Sequence, residues 1–283
     1  MQLSVIIVNY NSKELLKNCI ESVINATKDI EVETIIIDNN STDDSWDYIS
    51  SLQLTGMSFR MNNNLGFAKA SNGGFGFSQG KYILFLNPDT ILPRNSLQYC
   101  VSFLERNNDA GAVGVRMIDG NGIFLKESRR GFPGPATSFF KLFGLTILFP
   151  RSKMFARYYM GHLPEQEDNP VEVLSGAFMM IKREALEKTK GFDEDFFMYG
   201  EDIDLSIRLI KAGYKNYYLG SVTITHLKGG STNYNYKYVN DFYQAMNLFI
   251  KKHYREKPML YRLFLYAGIG LRKWIAVAGL LFR

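Results

Sequence analysis

The sequence contains little cysteine, and its cysteines do not indicate a redox or metal site. Cys19 and Cys100 are the only two in 283 residues, and their separation fits neither a disulfide framework nor a zinc-binding spacing. The opening stretch MQLSVIIVNYNS also lacks the basic and long apolar regions of a signal peptide. These absences favour a cytoplasmic protein.

Two common phosphate-binding motifs are absent as well. A dinucleotide-binding fold needs G-x-G-x-x-G directly after the first strand, but here that strand leads into NYNS. The later segment GGFGFSQG has Gln79 in the third glycine position, and no P-loop pattern occurs. Any nucleotide must therefore be bound by a different arrangement.

The composition is that of a globular protein with an uneven charge distribution. Hydrophobic residues make up 46% of the chain and charged residues 22%, which is enough for a substantial core. The net charge is +5, but the part from Lys228 onward has ten Lys and Arg against two acids, or +8, which leaves about −3 for the rest. These basic residues lie among Leu, Ile and Ala, a pattern that argues against nucleic-acid binding.

Short apolar strands alternate with helical patterns along the first half of the chain. Residues 5–8, 35–37 and 82–86 are apolar runs, and Ser12 is a candidate N-cap for a helix in SKELLKNCIESVINA. Runs that are apolar throughout are typical of strands covered on both faces. The alternation predicts an α/β fold with a doubly wound, mostly parallel, Rossmann-like sheet.

Acidic residues follow two of the predicted strands. Asp38 follows residues 35–37, and Asp89 follows residues 82–86 within FLNPDT. Asn-Pro-Asp alone is also a favourable turn. Two acids at the carboxyl edge of one parallel sheet instead indicate a binding site, because ligands bind outside that edge.

A further acidic cluster begins a helix near residue 202. Apolar residues at i, i+4 and i+7 in EDIDLSIRLI predict a helix over 202–212, which places Glu201, Asp202 and Asp204 in its first turn. Acids there can simply complement the helix dipole. His226 ends a strand-like alternation, and a lone histidine is more often structural than catalytic.

Seven ordered motifs resemble those of inverting nucleotide-sugar glycosyltransferases of family 2 with the GT-A fold, most closely bacterial rhamnosyltransferase-type members. The motifs are VIIVNYNS, IIIDNNSTDDS, NNNLGFAKASN, FLNPDT, LSGAFMMIKREAL, GFDEDFFMYGEDIDLSIRLIKAGY and THLKGGST. The resemblance implies a GT-A domain over 1–232. Residues 128–164 are an apolar and basic insertion in this domain, which is either a buried excursion of the core or an amphipathic element near acceptor or membrane. A basic amphipathic helical extension would follow over 233–283.

The resemblance also implies roles for individual residues. Asp202 would be the general base with Glu201 beside it, and Asp89 and His226 would bind Mn²⁺ or Mg²⁺. Asn87 stands in NPD where a full acidic pair would place another carboxylate. The residues implied to bind nucleotide and donor are Val8, Tyr10, Asp38, Asn40, Asp43, Asn64, Gly66, Phe67, Asn72 and Asn87. Those implied to face donor sugar and acceptor are Ser175, Gly176 and Ala177.

The implied reaction is transfer of a sugar, with inversion, from a nucleotide-diphosphate donor to a hydroxyl of a glycan or polyprenyl-linked glycan. dTDP-rhamnose is the first expectation for the donor and UDP-hexose the second, in bacterial surface polysaccharide synthesis. An inert nucleotide-binding or scaffold protein of the same fold is the alternative. A homodimer is compatible with the sequence.

The last part of the chain predicts contact with a membrane surface. Arg272 and Lys273 divide the segment after Pro258 into two apolar runs, each too short to span a bilayer. An in-plane helix is therefore expected, with Tyr266 and Trp274 at headgroup depth. The chain would then be peripheral at the inner face of the bacterial cytoplasmic membrane. A helix that docks on its own domain or on a second subunit is the other interpretation.

Overall fold

The computed structural model describes residues 1–27, 30–134, 137, 145–227 and 235–281. The strands in this part of the chain are β1 (Leu3–Asn9), β2 (Val32–Asp38), β3 (Gly56–Arg60), β4 (Tyr82–Leu86), β5 (Thr90–Ile91), β6 (Ala110–Ile118), β7 (Arg129–Arg130), β8 (Asn169–Val171), β9 (Val173–Leu174), β10 (Phe178–Lys182) and β11 (Lys215–His226). The main helices are α1 (Lys13–Ala26), α2 (Ser45–Ser51), α3 (Phe67–Phe77), α4 (Ser96–Arg106), α5 (Arg183–Thr189), α6 (Glu201–Lys211), α7 (Tyr236–His253) and α8 (Met259–Leu281). Short helical turns occur at Lys126–Ser128, Leu145–Leu148 and Arg157–Tyr159.

A mixed sheet forms the centre of the fold. Its strand order is β3-β2-β1-β4-β10-β6-β11-β5, and β8 pairs with β11. Strands β3, β2, β1 and β4 are parallel, whereas β10 runs antiparallel to both β4 and β6. The sheet is therefore mostly parallel with β10 reversed at its centre, and the α/β expectation is confirmed.

The apolar strands form by burial on both faces of the sheet. In β1, Leu3, Val5 and Ile7 pack on the side of α1 and α4, while Ile6 and Val8 pack on the side of α3, α5 and α6. Because side chains alternate between faces, a strand covered on both sides is apolar at most positions on both faces. This explains the apolar runs at residues 5–8 of β1 and 82–86 of β4.

The start of α1 differs from the expectation in one detail. Ser12 occupies the N-cap position, but its side chain makes no capping hydrogen bond. Its hydroxyl instead donates to the carbonyl oxygen of Tyr10 at 3.1 Å. The predicted helix is present and buries Leu16, Cys19 and Val23 against the sheet, whereas Leu15 is only half-buried.

Part of the 128–164 insertion belongs to the core of the domain. Arg129 and Arg130 form β7, which pairs antiparallel with β9, and Ala156 is also buried. The described ends of this segment therefore match the core interpretation. Residues 135–136 and 138–144 lie outside the described part of the chain.

The carboxyl-terminal extension contains two long helices with different surroundings. Helix α7 buries Val239, Ala245, Phe249 and Ile250. This helix therefore packs on the domain. The 232/233 boundary and residues 228–234 of the THLKGGST region lie outside the described residues.

Helix α8 is continuous across Arg272 and Lys273. Within it, Met259–Leu280 has a mean hydropathy of 1.4 in its most apolar window, and 6% of that window is buried. By length and composition this helix could cross a membrane, although one such helix is weak evidence that it does. The expectation of two runs too short to span is therefore corrected, because they form one helix.

Candidate active site

Strand pairing brings Asp89 and His226 together. Thr90 pairs with His226 across β5 and β11, and the backbone N–H of Leu227 donates to the carbonyl oxygen of Asp89 at 2.8 Å. The Nε2 atom of His226 consequently lies 3.2 Å from Oδ1 of Asp89. The two residues implied as metal ligands are thus neighbours, although 137 positions separate them in the chain.

The buried atoms of this pair have unused ligand capacity. Both side chains are buried, and neither Oδ1 of Asp89 nor Nδ1 of His226 has a hydrogen-bond partner among the described residues. No group of three or more His, Cys, Asp or Glu side chains in the described ranges could hold a metal.

Cys19 contacts the loop that carries Asp89, through Asn87 and Thr90. Burial raises the pKa of its thiol to about 12, so the thiol is neutral.

The turn before β10 contacts the first turn of α6. The N–H of Gly176 donates to Oδ2 of Asp202 at 3.1 Å, and the N–H of Asn87 donates to the carbonyl oxygen of Ala177 at 3.0 Å. A Cβ atom on Gly176 would lie 3.3 Å from Cβ of Asp202, so a larger residue would push the acid away. The 175–177 turn therefore links the loop that follows β4 to Asp202.

Arg130 is a site residue that the sequence analysis did not identify. Its guanidinium donates to Oδ2 of Asp202 and, at 2.8 Å, to the carbonyl oxygen of Leu174. Although burial opposes the charge, interaction with Asp202 raises the pKa of Arg130 above its ordinary value. The tandem arginines of SRRGFPG were the available signal, but they lay in a segment assigned to acceptor or membrane contact.

The three acids at the start of α6 have different environments. Burial, followed by repulsion from Asp202, raises the pKa of Glu201 to about 8, and its Oε2 has no hydrogen-bond partner within the ranges that the structure describes. Asp204 accepts hydrogen bonds from Arg208 at 2.7 Å and pairs with Nε2 of His253 at 2.7 Å. Burial acts to raise the pKa of Asp204, but the hydrogen bond with His253 and the charge and hydrogen bond of Arg208 outweigh it, so the pKa of Asp204 is lowered.

A cavity of about 610 Å³ connects these groups to the carboxyl-terminal helices. Its polar end is lined by the predicted residues Tyr10, Phe67, Asn87, Asp89, Ser175, Gly176, Ala177, Glu201, Asp202 and His226, together with Arg130. Its other wall includes the apolar residues Met246, Phe249, Phe264, Leu265, Ile269 and Ile275 of α7 and α8. The predicted base, metal ligands and acceptor segment therefore share one cavity.

Asn64 and Gly66 are held in a tight turn beside this cavity. Asn39, which was not predicted, donates to Oδ1 of Asn64 at 3.0 Å and to the carbonyl oxygen of Gly66 at 3.2 Å. Gly66 has φ of 80°, and a Cβ atom there would lie 2.3 Å from the carbonyl oxygen of Phe197. Only glycine fits this conformation and this contact.

Other predicted donor residues lie outside the cavity lining. Asp38 is fully buried, where it accepts from Nδ2 of Asn9 at 3.2 Å and from the N–H of Ser41 at 3.1 Å. Val8 packs in the core, and Asn40 adopts a left-handed conformation with φ of 66°. These positions shape the loops at the sheet edge, and their roles in binding stay predictions.

Asp43 and Asn72 are already occupied by contacts within the protein. Partial burial acts to raise the pKa of Asp43, but the hydrogen bonds from Ser45 and from the backbone of Lys13 together outweigh it, so the pKa is lowered. Asn72 exchanges hydrogen bonds with the backbone of Phe192 at 2.9 Å in each direction, and it donates to Glu194 at 3.0 Å. Asn72 therefore anchors the 192–194 loop and does not line the cavity as expected.

The fold and site define a GT-A-type α/β protein with a carboxylate-rich sheet edge. The sequence model of Glycosyl transferase family 2 matches residues 4–190. The chain therefore belongs to glycosyl transferase family 2. A second model, described as the N-terminal domain of galactosyltransferase, matches residues 163–238, which contain the 175–177 turn, α6 and His226.

Curated relatives include two rhamnosyltransferases. N-acetylglucosaminyl-diphospho-decaprenol L-rhamnosyltransferase of Mycobacterium tuberculosis is 28% identical over 241 residues, covering 81% of this chain and 77% of that protein. Rhamnosyltransferase WbbL of Escherichia coli is 27% identical over 235 residues, with 78% and 82% covered. The resemblance to rhamnosyltransferase-type members of the family is thus confirmed.

Solved structures share the fold at low sequence identity. S. aureus TarS 1–349 superposes with a TM-score of 0.59 at 18% identity, over 88% of this chain and 64% of that one. The mannosyltransferase PcManGT from Pyrobaculum calidifontis, solved with GDP-Man and Mn²⁺, has a TM-score of 0.61 at 17% identity, with 98% and 72% covered. These similarities confirm the GT-A fold.

Proposed function

We propose that this glycosyltransferase moves a sugar, with inversion, from a nucleotide-diphosphate donor to a hydroxyl of a lipid-linked glycan acceptor. The observation that carries the proposal is the position of Asp202, which lines the same cavity as Asp89 and His226. In-line displacement at an anomeric carbon requires a base and a group that binds the diphosphate, both on one cavity.

Asp202 acts as the general base in this proposal. The acceptor oxygen forms a bond to the anomeric carbon while the bond from that carbon to the diphosphate oxygen breaks, and the diphosphate leaves with the electron pair. The hydroxyl proton passes to the Asp202 carboxylate. Because a nucleotide diphosphate is a good leaving group, no protein acid is needed to protonate it.

Asp89 and His226 are suited to a divalent cation. A buried carboxylate oxygen without a hydrogen-bond partner, beside an imidazole nitrogen, fits Mn²⁺, and Mg²⁺ commonly uses one or two carboxylates together with phosphate oxygens. When bound, such a cation stabilises negative charge on the departing diphosphate. The Mn²⁺ in the PcManGT structure supports this assignment.

The names of the relatives guide the choice of substrates. dTDP-rhamnose is the first donor to test, because two relatives are named as rhamnosyltransferases. A UDP-hexose is the second, since TarS 1–349 was also solved with UDP-GlcNAc. For the acceptor, an N-acetylglucosaminyl diphosphate on a polyprenol follows the name of the mycobacterial relative.

A transfer assay tests the reaction. The full chain is incubated with each donor, with and without Mn²⁺, and with the polyprenyl-linked acceptor, and product mass and anomeric configuration are measured. Metal-dependent transfer with inversion from one donor is expected. Asp202→Asn should lower kcat by about 10²–10⁴-fold, the usual contribution of a general base.

Asp89→Asn and a matched control separate metal binding from folding. Asp89→Asn should abolish the metal-dependent thermal shift produced by the correct nucleotide diphosphate. Asp109→Asn removes an exposed carboxylate that pairs with Lys215 at the opposite edge of the sheet, and it should leave the shift intact. Folded wild-type protein that neither binds a nucleotide nor transfers sugar would instead support the inert scaffold.

We also propose that α8 lies in the plane of the cytoplasmic membrane surface. Phe264 and Trp274 are each 70% exposed, and Arg272 and Lys273 lie midway along the helix. Exposed aromatic and basic side chains on one helix fit an anionic lipid interface. Arg272 also lines the cavity, so an in-plane helix would hold the cavity near the membrane.

Vesicle flotation tests this membrane contact. Binding to vesicles that contain phosphatidylglycerol should exceed binding to pure phosphatidylcholine, and alkaline carbonate should release the protein. The double variant Phe264→Ser/Trp274→Ser should lose binding, whereas Ile123→Ser, at an exposed residue on another surface, should retain it. Resistance to carbonate would indicate a spanning helix, and no flotation would exclude the contact.

A further inference from the structure

Arg130 links the β7–β9 pair to the start of α6. It pairs with Val173 in the small sheet, and its side chain is 13% exposed. Its Nη2 donates both to the carbonyl oxygen of Leu174 and to Oδ2 of Asp202. One guanidinium group therefore connects a strand end to the proposed base.

The contacts leave Asp202 with a defined orientation. Its Oδ2 accepts from Arg130 and from the N–H of Gly176, and its Oδ1 accepts from the N–H of Ile203 at 2.8 Å. A carboxylate oxygen accepts up to two hydrogen bonds, so Oδ2 is saturated and Oδ1 retains one acceptor position. That position is the one available to an acceptor hydroxyl.

We propose that Arg130 is a positioning residue for the reaction: it orients Asp202 and keeps Oδ1 directed to the acceptor hydroxyl. The inference rests on the proposed function, because it assigns Arg130 a role through the Asp202 base. The planar shape of the guanidinium group matters for this orientation, because its fixed N–H groups donate to Asp202 and to the carbonyl oxygen of Leu174 at the same time. Lysine offers a point charge without this fixed fork.

Arg130 also has an electrostatic role in the acidic first turn of α6. Glu201 and Asp204 lie beside Asp202 on the same helix, and Tyr158 contacts Arg130 from the other side. Without a cation, adjacent buried carboxyl groups compete for a proton. The positive charge of Arg130 therefore faces this group of carboxyl side chains through its ion pair with Asp202.

Arg129 provides a matched control. It precedes Arg130 in β7, yet its guanidinium donates to the carbonyl oxygens of Leu163 and Pro164 and lies over the ring of Tyr218. Within the described part of the chain, the guanidinium of Arg129 makes no hydrogen bond or ion pair with an acid of α6. Substitutions at Arg129 and Arg130 therefore both remove a largely buried arginine from the same strand, but only Arg130 contacts Asp202.

The test measures pH profiles of kcat for Arg130→Ala, Arg130→Lys and Arg129→Lys. Misplacing a catalytic group by about 1 Å can cost about 10²-fold, so Arg130→Ala should lose about that much kcat while the donor KM stays within about twofold. The acidic limb of the pH profile of kcat for Arg130→Ala should move to higher pH, and guanidinium ion added to the assay should restore part of the rate. Arg130→Lys has the positive charge that Arg130→Ala lacks, but it should recover only part of the wild-type rate. Arg129→Lys should keep the acidic limb of the wild-type pH profile.

A double variant separates this inference from the proposed function. If Arg130 acts through Asp202, Arg130→Ala should cost little further activity in an Asp202→Asn background. Full activity of Asp202→Asn alone would overturn the base assignment itself. An inactive Asp202→Asn, combined with an Arg130→Ala that keeps the wild-type pH profile and is not rescued by guanidinium, would overturn only the role of Arg130.

Discussion

At the residue scale, the three acids Glu201, Asp202 and Asp204 show what could be predicted from sequence. Their helical register predicted that they share the first turn of α6, which is correct. Their different environments could not be predicted, because the partners come from distant segments: Arg130 for Asp202 and His253 for Asp204. Local periodicity contains no information about these long-range contacts.

Glu201 should make the stability of the protein depend on pH. Its folded-state pKa of about 8 lies above its ordinary value of 4.5, so between these values the folded state retains a proton that the unfolded state releases. The stabilisation is present below about pH 4.5 and is lost as pH rises toward 8, with a slope of at most about 1.4 kcal/mol per pH unit.

Glu201→Gln should remove this dependence, because the amide mimics the neutral acid. The difference in free energy of unfolding between variant and wild type, measured by urea denaturation from pH 5 to 8.5, should grow in favour of the variant. Glu184→Gln makes the same change at an exposed position in the first turn of α5. Its free energy of unfolding should differ from that of wild type by the same amount at every pH. Parallel curves for Glu201→Gln and wild type would contradict a raised pKa.

At the element scale, α7 completes the domain by covering the start of α6. Lys252 pairs with Asp193 at 2.5 Å and Asp195 at 2.6 Å, and the hydroxyl of Tyr254 donates to the carbonyl oxygen of Pro133 at 2.6 Å. The sequence of α7 has an amphipathic pattern that places Val239, Phe242, Met246 and Phe249 on one face. Val239 and Phe249 are buried as this pattern predicts, but Phe242 is 38% exposed.

Phe249 and Phe242 form a matched pair for measuring how strongly α7 is docked. Phe249 packs with Phe196, Ile207 and Ala245, so Phe249→Ala should lower the free energy of unfolding by about 3 kcal/mol or more. Phe242→Ala should cost less than about 1 kcal/mol, because much of its surface is already hydrated. Urea denaturation followed by circular dichroism measures both, and equal losses would show that α7 does not dock through this face.

At the scale of the whole molecule, the sequence predicted the layers of the fold better than its strand directions. The runs at 5–8 and 82–86 indicated buried strands, and β1 and β4 are parallel neighbours. No residue pattern indicated that β10 runs antiparallel between β4 and β6. Strand β5 has two residues, too few for any periodicity, yet its pairing with β11 brings Asp89 to His226.

The cavity joins two regions of different chemistry, and this predicts a selective effect of its apolar wall. Ile269 of α8 is buried and lines the cavity, whereas Leu260 of the same helix is 82% exposed and does not. If the wall receives the lipid part of an acceptor, Ile269→Asn should raise KM for a long-chain acceptor by about tenfold, the equivalent of about 1.4 kcal/mol of lost apolar burial.

Comparison of acceptors of different chain length distinguishes this from general damage. In Ile269→Asn, KM for a short-chain acceptor and for the nucleotide donor should stay close to wild type, because the proposed binding groups for the nucleotide and sugars lie at the sheet edge, away from Ile269. Leu260→Asn should leave all three values unchanged in detergent. Equal increases for long-chain and short-chain acceptors would mean that α8 supports the shape of the site without binding lipid. A selective increase would instead assign the sheet edge to sugar transfer and the carboxyl-terminal helices to recognition of the lipid.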